Sequence, residues 1–372
     1  MRFPHLFNPL KIGAITTPNF TANPETLSHI NKPSPTRSSR LFKASLVVLL
    51  SISINPSFAA ETIKNDLLTD TSQIKVAAIN AAPVRFDVEA SLKKADRLVK
   101  EAKAQGAVLV AFPELWLPGF INGDPQYAMG MPPKPFSKYI DNSIEIGSKE
   151  WKELLKIASD NHVYLSMGIS EKNTKTKNLY MTQVLVGPDG AVIDKRSKIN
   201  PSRGERNFFS DAPMADNLKV VNTPLGRIGQ LSCGEHFKVF MTYNMMAQHE
   251  NIHIAAWPYN LTANDKPWPE QYWLHMVNTA SYASNANAWT VMPSIGRAAI
   301  FDNNGFIVAQ ADNTNSNFAI AKIDRSGFRS TTWKSDPISY NTLSLLREHY
   351  PGPHEPKEAV ETLSTPDYTK IQ

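Results

Sequence analysis

Apolar and polar residues follow regular patterns along the chain from Gln73 onwards. Residues 74–79 form a short apolar run typical of a β-strand. In residues 88–105, apolar side chains recur every three or four positions, which predicts an amphipathic helix that Gly106 ends. Residues 107–112 are continuously apolar, as in a strand covered on both faces. The regular region therefore begins with a predicted strand–helix–strand unit.

The rest of this region first alternates strands with helices and then pairs strands as hairpins. Further strands are predicted at residues 163–169, 179–186, 191–194, 228–232, 252–257, 288–292, 298–302, 306–311 and 318–323. Further helices are predicted at residues 149–160, 235–249 and 270–284. The pattern predicts a mixed α/β protein whose single domain spans about residues 73–325, with no internal linker.

Two segments lack this periodicity. Residues 115–148 form a long loop rich in proline, glycine and aromatic residues, and a loop of that length inside a compact domain is usually functional. Residues 326–372 form a C-terminal extension that becomes rich in proline. We interpret it as a tail that could wrap a neighbouring subunit in a homo-oligomer, with a frayed terminus as the alternative.

Charge is unevenly distributed between the first 60 residues and the remainder. Residues 1–60 hold six basic residues and one acidic residue, a net charge of +5 that equals the net charge of the whole chain, so the remaining residues are balanced at 0. A body without net positive charge has no overall attraction for nucleic acid or for an anionic membrane surface. Neither is therefore expected as a partner.

The N-terminal extension contains the pattern of an export signal. A basic patch at residues 37–43 precedes an apolar run at 44–54, and small residues follow at 56–60. This order predicts a secretory signal at about residues 36–60, with cleavage near Ala59 or Ala60, and hence an exported protein. The alternative is a membrane tether formed by the apolar run, although a spanning helix needs roughly 20 residues.

Cys233 is the only cysteine of the 372 residues. It can form neither an intrachain disulfide nor a thiolate metal cluster, so it is either a small buried hydrophobic residue or a nucleophile. Three histidines lie near Cys233 in the sequence: His236, His249 and His253. A Cys–His pair or a metal site is therefore an alternative. Their spacing matches no zinc pattern, and structural histidines are the simpler interpretation.

Three residues with useful chemistry follow predicted strands. Glu114 comes just after residues 107–112, Lys198 follows 191–194, and Cys233 follows 228–232. Ligands of open α/β sheets bind beyond the carboxyl ends of the strands, so these side chains are expected to converge. Because Lys195 and Arg196 precede Lys198 and a basic run is usually a solvated face, an exposed lysine is the alternative there.

Together these three residues would form a hydrolytic site. A cysteine thiolate is a strong nucleophile but needs a base or a positive neighbour near neutral pH. A carboxylate in a partly apolar pocket has a raised pKa and can accept the thiol proton. A lysine ammonium can stabilise the anion that develops during attack. The sequence therefore predicts nucleophilic catalysis by Cys233.

Five ordered stretches resemble the nitrilase, or carbon–nitrogen hydrolase, superfamily and its nitrilase and cyanide-degrading branch. The resemblance covers about residues 74–324. The matching stretches are residues 81–84 (AAPV), 111–120 (AFPELWLPGF), 198–206 (KINPSRGER), 233–236 (CGEH) and 247–258 (AQHENIHIAAWP).

The resemblance implies a four-layer α-β-β-α sandwich whose subunits pair helix face to helix face. It implies that Glu114 is the general base, Lys198 the lysine that stabilises the intermediate and Cys233 the nucleophile. Glu205 would be a second carboxylate that positions the lysine and the base, with pairing to Arg203 or Arg206 as the alternative. No metal and no organic cofactor would be needed.

The chain departs from the family pattern directly after the nucleophile. Gly234 stands where the family usually has tryptophan or alanine, and Val239 and Thr242 also depart from the common residues. Gly234 therefore removes a side chain beside the nucleophile, which affects the expected substrate size. The expected substrate-binding residues are Gly234, His236, Trp257 and Tyr259, with core packing as the alternative for the last two.

The resulting hypothesis is a thiol hydrolase that converts a nitrile into a carboxylic acid and ammonia. An amidase or a cyanide hydratase or dihydratase with the same Glu–Lys–Cys site is the first alternative. A non-catalytic scaffold is a more remote alternative, because Glu114, Lys198 and Cys233 are all present. A papain-like protease is disfavoured, because it would need a histidine in the role that Glu114 and Lys198 take here.

Overall fold

The computed structural model describes residues 72–121, 136–214, 216–260, 271–312 and 315–328. The expected secretory signal at about residues 36–60, the middle of the long loop and most of the C-terminal extension lie outside the described residues. Among the helices that are described, none combines the length and the hydropathy of a membrane span.

Twelve strands and five α-helices make up the described part of the chain. The strands are β1 (Gln73–Ile79), β2 (Ala107–Ala111), β3 (Tyr164–Asn173), β4 (Asn178–Val186), β5 (Val192–Ser197), β6 (Val221–Thr223), β7 (Gly226–Ser232), β8 (Ile252–Ala256), β9 (Trp289–Met292), β10 (Arg297–Phe301), β11 (Ile307–Asp312) and β12 (Phe318–Asp324). The helices are α1 (Val88–Ala104), α2 (Ser137–Asp141), α3 (Lys149–Asn161), α4 (Val239–Ala247) and α5 (Gln271–Ala286).

The strands form two six-stranded mixed sheets. The first sheet has the order β12-β1-β2-β3-β4-β5, and the second has the order β11-β10-β9-β8-β7-β6. Strands β1, β2 and β3 run parallel in the first sheet, as do β7, β8 and β9 in the second. Each sheet therefore has a set of parallel strands whose carboxyl ends can carry functional side chains.

Alternating side chains of β1 show how the layers are built. Val76 and Ala78 lie in a buried cluster with residues of β8 and β9, so this face of the first sheet packs on the second sheet. Ala77 and Ile79 point the other way, into a cluster with buried residues of α1 and α3. Because α4 and α5 cover the outer face of the second sheet, the expected four-layer α-β-β-α sandwich is confirmed.

Helix α1 illustrates how well the apolar pattern specified an element. The Asp87 side chain caps its first turn by accepting the Ala90 N–H at 2.9 Å, as a good N-cap residue does. Its buried side includes Leu92, Leu98 and Val99, spaced as the helical period requires. The helix ends one residue before the predicted boundary, ahead of Gly106, whose φ of +91° suits glycine.

The predicted single helix over residues 235–249 was wrong. The segment is a 3-10 helix, Cys233–Phe237, followed by the separate helix α4. Lys238 between them has an extended backbone, with φ −98° and ψ 95°. Glu235 accepts the Ser232 N–H at 2.8 Å in a capping box, which holds the first turn as its own short element. A second 3-10 helix, Arg203–Asn207, and strand β6 were not predicted.

Buried polar contacts join the two sheets beside the ends of the parallel strands. Ser166 of β3 donates to Gln230 of β7 at 2.7 Å. Farther along, the Ser232 hydroxyl at the end of β7 donates to Gln183 of β4 at 2.9 Å. Because buried polar groups are costly without partners, these contacts fix the position of one sheet relative to the other.

Candidate active site

Glu114 is placed by a turn that follows β2. The backbone reverses at Leu115, whose φ is +49°. Gly168 on the neighbouring strand β3 allows this turn to lie close, because a Cβ there would overlap the backbone of Pro113. The Glu114 side chain is almost completely buried. The turn therefore directs a carboxylate into the protein at the carboxyl end of β2.

Lys198 follows β5 and is fully buried. Its ammonium donates to Oε1 of Glu114 at 2.9 Å and to Oε2 of Glu205 at 2.8 Å. The alternative of a solvated basic run is wrong here. Side chains alternate along this segment, so Arg196 and Lys198 point inward while Lys195 is partly exposed and pairs with Glu171.

Glu205 sits in the 3-10 helix Arg203–Asn207 and forms a capping box with Ser202. The same oxygen that binds Lys198, Oε2, accepts the Ser202 N–H at 2.5 Å. Arg206 pairs with Asp211 at 3.1 Å rather than with Glu205. The side chain of Arg203 lies outside the described residues. Glu205 therefore takes the position expected for a carboxylate that supports the lysine.

Cys233 lies at a sharp turn between β7 and its 3-10 helix. Its φ of +43° falls in the left-handed region, which costs a non-glycine residue about 1–3 kcal/mol and persists only where the surroundings enforce it. The preceding residue is held on both sides, because the Ser232 N–H donates to Glu235 and its hydroxyl donates to Gln183. Cys233 keeps an intermediate exposure. Cys233 at this strained turn is therefore only partly buried.

These side chains converge on one point. One carboxylate oxygen from each of Glu114 and Glu205 and the sulfur of Cys233 all lie within 4.8 Å of one another. Such a set could hold a metal ion by spacing alone. However, the Lys198 ammonium is bonded to both carboxylates and already provides the cation between them. The convergence predicted for the three strand ends is therefore present in the structure.

Burial and neighbouring charges set the proton affinities of the site. Desolvation raises the pKa of Glu114 to about 8; Lys198 opposes this shift and the Glu205 charge adds to it. Although burial disfavours an ammonium, Glu114 and Glu205 raise the pKa of Lys198 well above its usual value. Desolvation and the Glu114 charge raise the pKa of Cys233 well above that of a free thiol. The resting site therefore holds a neutral thiol beside a basic carboxyl group and a permanent cation.

One oxygen of Glu114 is poised to accept a proton. Oε1 accepts a hydrogen bond from Lys198, whereas Oε2 is buried and has no hydrogen-bond partner among the described residues. An unpaired buried carboxylate oxygen costs free energy, so such an atom commonly marks a functional group. The arrangement places a thiol, a carboxylate with an unpaired oxygen and a fixed positive charge within one small volume, which are the groups that nucleophilic catalysis needs.

The family model described as carbon–nitrogen hydrolase matches residues 75–332. The chain belongs to the carbon–nitrogen hydrolase family. The match covers all of the described strands apart from the first residues of β1, together with Glu114, Lys198, Glu205 and Cys233.

Curated relatives of this carbon–nitrogen hydrolase carry two kinds of name. A cyanide hydratase from Stereum hirsutum is 36% identical over 229 residues, which is 60% of this chain and 61% of that protein. An arylacetonitrilase from Aspergillus kawachii is 41% identical over 191 residues, which is 50% of this chain and 56% of that protein. The matches thus span less than two thirds of the length of these relatives.

Solved structures of the same fold are more distant in sequence. Nit3 from Saccharomyces cerevisiae, a member of branch 10 of the nitrilase superfamily, aligns with a TM-score of 0.57 at 19% identity, covering 71% of this chain and 96% of that one. A carbon–nitrogen hydrolase from Helicobacter pylori aligns with a TM-score of 0.57 at 14% identity, covering 73% and 98%. At these identities the likeness concerns the fold.

Gly234 of this hydrolase has a structural reason that the sequence did not reveal. A Cβ at this position would lie 2.5 Å from the hydroxyl oxygen of Ser202, the residue that caps the helix of Glu205. The missing side chain would therefore point at Ser202 and not into open space. Close packing between the cysteine turn and the Glu205 turn therefore accounts for the glycine, and the expected effect of Gly234 on substrate size stays a prediction.

The other expected substrate-binding residues lie in well-packed surroundings. Trp257 is fully buried and stacks between the imidazoles of His236 and His275, with ring centroids 5.1 and 4.0 Å away. Cys233 packs against the apolar cluster that contains Trp257. Tyr259 is largely buried and meets Phe120 edge-on. Trp257 is thus part of the core, in the apolar cluster against which Cys233 packs.

Sequence reasoning missed a buried ion pair that connects the lysine and cysteine segments. Arg196 donates to Glu235 at 2.7 Å, and both side chains are buried. The same Glu235 oxygen accepts the N–H of Ile199 at 3.0 Å, while the other oxygen accepts the N–H of Ser232. The Ser-x-x-Glu spacing from Ser232 is a capping-box signal that would have indicated the position of Glu235.

Proposed function

We propose that this carbon–nitrogen hydrolase is a nitrilase that converts a nitrile into a carboxylic acid and ammonia. The observation that carries the proposal is the convergence of the Cys233 sulfur with carboxylate oxygens of Glu114 and Glu205 within 4.8 Å, joined by the Lys198 ammonium. The names of the curated relatives support a substrate with a carbon–nitrogen triple bond.

Attack on the nitrile carbon uses the unpaired oxygen of Glu114. As the Cys233 sulfur bonds to carbon, the thiol proton passes to Glu114 and from there to the nitrile nitrogen, which gives a neutral thioimidate. Lys198 stabilises the negative charge that develops on nitrogen. Because its pKa is held well above the usual value, Lys198 keeps its proton throughout.

Hydrolysis of the thioimidate needs two molecules of water. Glu114 takes a proton from the first water as its oxygen adds to carbon, and it passes that proton to the nitrogen, which becomes an amino group. The hydroxyl proton of this tetrahedral intermediate then moves to the amino group by way of Glu114 as the carbonyl forms, and the nitrogen leaves as ammonia. This leaves a thioester on Cys233. A second water, activated by Glu114 in the same way, releases the carboxylic acid and returns the proton to the thiol. Glu205 holds Lys198 in place throughout, through its 2.8 Å contact.

A cyanide hydratase is the second candidate, because several of the similar curated proteins carry that name. It would share the attack and the first water addition. The tetrahedral intermediate would then expel the cysteine sulfur in place of ammonia, and the product would be an amide. An amidase would enter the same sequence from an amide. Tyr259, at the carboxyl end of β8, is proposed as a substrate contact in each case.

The deciding experiment measures products from the full-length protein. Aliphatic nitriles, aromatic nitriles, cyanide and the matching amides are incubated separately, and ammonia, acid and amide are quantified. The proposal expects acid and ammonia in equal amounts from at least one organic nitrile. Amide as the main product would favour the hydratase, and activity on amides alone would contradict nitrile conversion.

Matched lysine variants test the assignment of the site. Lys198→Met removes the ammonium between the two carboxylates and is expected to abolish activity, as is Cys233→Ala. Lys195→Met removes a lysine three residues earlier that pairs with Glu171 outside the site, and it is expected to retain activity. Activity that survives in Lys198→Met or Cys233→Ala would overturn the mechanism.

A homo-oligomer that pairs through α4 and α5 belongs to the same proposal. The two helices pack side by side and expose a set of large apolar side chains: Val239, Phe240, Trp273, Leu274 and Val277. Exposed apolar patches commonly mark interaction sites. Sedimentation of Phe240→Glu tests this surface, with Phe306→Glu as the control, because both residues are 71% exposed and Phe306 precedes β11. Dissociation of Phe306→Glu alone would contradict the proposed surface.

Export is proposed on the strength of the N-terminal pattern. The order of basic, apolar and small residues over about residues 36–60 supports a cleaved secretory signal, with tethering by residues 44–54 as the alternative. Cell fractionation with N-terminal sequencing of the mature protein tests the point. A mature chain that begins near Ala60 outside the cytoplasmic fraction is expected, and a cytoplasmic chain that retains residues 36–60 would contradict export.

A further inference from the structure

A continuous chain of buried hydrogen bonds ends on the backbone of the nucleophile. The carbonyl oxygen of Cys233 lies 2.9 Å from Nδ1 of His236. Nε2 of His236 lies 3.0 Å from Nε2 of His253, and Nδ1 of His253 lies 2.9 Å from Oε2 of Glu250. The other Glu250 oxygen accepts the hydroxyl of Tyr282. We call His236, His253 and Glu250 the histidine relay.

Hydrogen-bond chemistry determines which ring nitrogens carry protons. A carbonyl oxygen only accepts, so Nδ1 of His236 must donate to Cys233 and carry a proton. Burial and the neighbouring His253 lower the pKa of His236 well below its usual value, so this ring is neutral and its Nε2 has no proton. Nε2 of His253 must therefore donate to His236, and His253 shares a further proton with Glu250. The donors at Nδ1 of His236 and Nε2 of His253 thus both point toward Cys233.

The acceptor at the end of the relay belongs to the peptide group that faces the thiol. The Cys233 carbonyl and the Gly234 N–H are two ends of one planar peptide. That N–H favours the ionised form of the Cys233 sulfur and so opposes the burial that raises its pKa. A hydrogen bond accepted by the carbonyl polarises the peptide and strengthens its N–H as a donor. The relay therefore acts on the group that stabilises a thiolate.

The surrounding structure is built to hold the relay. His253 and Glu250 are almost completely buried, and His236 is largely buried. Gly229 of β7 leaves room for Glu250, since a Cβ there would overlap its carboxylate. Trp257 stacks on the His236 ring, with planes 24° apart. The hydrogen bonds at both ring nitrogens and the stacking on Trp257 therefore hold the His236 ring in one orientation.

We propose that the histidine relay positions the nucleophile by holding the Cys233–Gly234 peptide, through its carbonyl oxygen, in the strained turn that carries the sulfur. His236, His253 and Glu250 are then positioning residues, and none of them touches the substrate. The proposal rests on the proposed function only in that Cys233 is the nucleophile. A set of buried histidines that merely satisfy one another is the competing explanation, and it requires no effect on the thiol.

The first test reads the proton positions directly and needs no variant. Nitrogen NMR of the full-length protein labelled with ¹⁵N-histidine distinguishes the two neutral tautomers, and through-bond correlations assign the rings. The proposal expects His236 as the Nδ1–H tautomer with an unprotonated Nε2, and His253 with a protonated Nε2. His236 as the Nε2–H tautomer would overturn the proposal, because its Nδ1 could then not donate to Cys233.

The second test measures thiol reactivity without any substrate. Since Cys233 is the only cysteine, the rate of its alkylation by iodoacetamide can be followed by intact mass. His236→Leu removes the donor to the carbonyl and is expected to slow alkylation about tenfold, in keeping with a lost hydrogen bond to an ionised group. His236→Asn keeps a short N–H donor and is expected to restore most of the rate.

His275→Leu is the matched control. It also removes a buried imidazole that stacks on Trp257, but His275 bonds the carbonyl of Tyr259 and not that of Cys233. Its alkylation rate is expected to match the wild type. Equal slowing in His275→Leu and His236→Leu, or no rescue by His236→Asn, would overturn the proposal. Because neither test uses a nitrile, failure of the proposed function would leave both results interpretable.

Discussion

Alanine at position 234 should disturb the site through Ser202, although alanine is the smallest change available. Gly234 is not among the glycines with positive φ, so alanine introduces no backbone strain. Its Cβ would instead lie 2.5 Å from the Ser202 hydroxyl, about 0.9 Å inside the 3.4 Å at which ordinary contact begins. The hydroxyl or the whole Ser202 turn must move to relieve this overlap.

The free-energy cost follows from what Ser202 does. Overpacking of a closely packed position typically costs about 1–3 kcal/mol, and loss of an N-cap about 1 kcal/mol. Displacement of Ser202 also weakens the 2.5 Å bond from its N–H to the Glu205 oxygen that holds Lys198. Gly234→Ala is therefore expected to lower the free energy of unfolding by about 1–3 kcal/mol and to lower kcat.

A double-mutant cycle with Ser202→Ala isolates this contact. Removal of the hydroxyl leaves the Ser202 Cβ 3.6 Å from a Cβ at position 234, which is an ordinary distance. The double variant should then lose only about the 1 kcal/mol of the cap, well below the sum of the two single changes. Urea unfolding at constant m-value measures each variant. Additive effects would refute the proposed contact between Gly234 and Ser202.

Three further predictions follow from the burial of charged and apolar groups. The value of kcat/KM should rise with pH through about 8, the pKa of Glu114, because this carboxyl group must lose its own proton before it can accept the thiol proton. A flat pH profile would contradict this role. Glu235→Gln should cost about 3–5 kcal/mol in urea unfolding by leaving Arg196 buried without an ionic partner, whereas Lys149→Ala at an exposed pair should cost about 0–1 kcal/mol. Leu98→Ala should lower stability by about 2–5 kcal/mol, measured as a reduced melting temperature.

The convergence of Glu114, Lys198 and Cys233 could be predicted because strand ends are visible in the apolar pattern. Each residue follows a strand-like run within four positions, and functional groups of α/β proteins collect beyond the carboxyl ends of strands, which here belong to two sheets. The three- and four-residue spacing of apolar side chains in α1 likewise predicted the buried side of that helix. These features depend on local periodicity, which a single sequence displays.

Other parts of the site depend on contacts between segments far apart in the chain. Glu235 lies 39 positions from Arg196, and nothing in the sequence marks them as partners. The break at Lys238 was missed because apolar residues lie on both sides of it. The capping box that holds the first turn consists of two hydrogen bonds, which the apolar pattern does not display. His236 and His253 looked like ordinary core histidines, because their relation appears only when the helix after Cys233 lies beside β8.

The base and the nucleophile lie on different sheets of the sandwich. Glu114 extends from the first sheet and Cys233 from the second, and the Ser166–Gln230 contact holds those sheets together near both residues. Neither half of the domain therefore contains a reactive centre of its own. A partly unfolded chain therefore carries an ordinary thiol without the neighbouring carboxylate and ammonium that the folded site supplies. Chemistry that needs all three groups is available only when both sheets are in place.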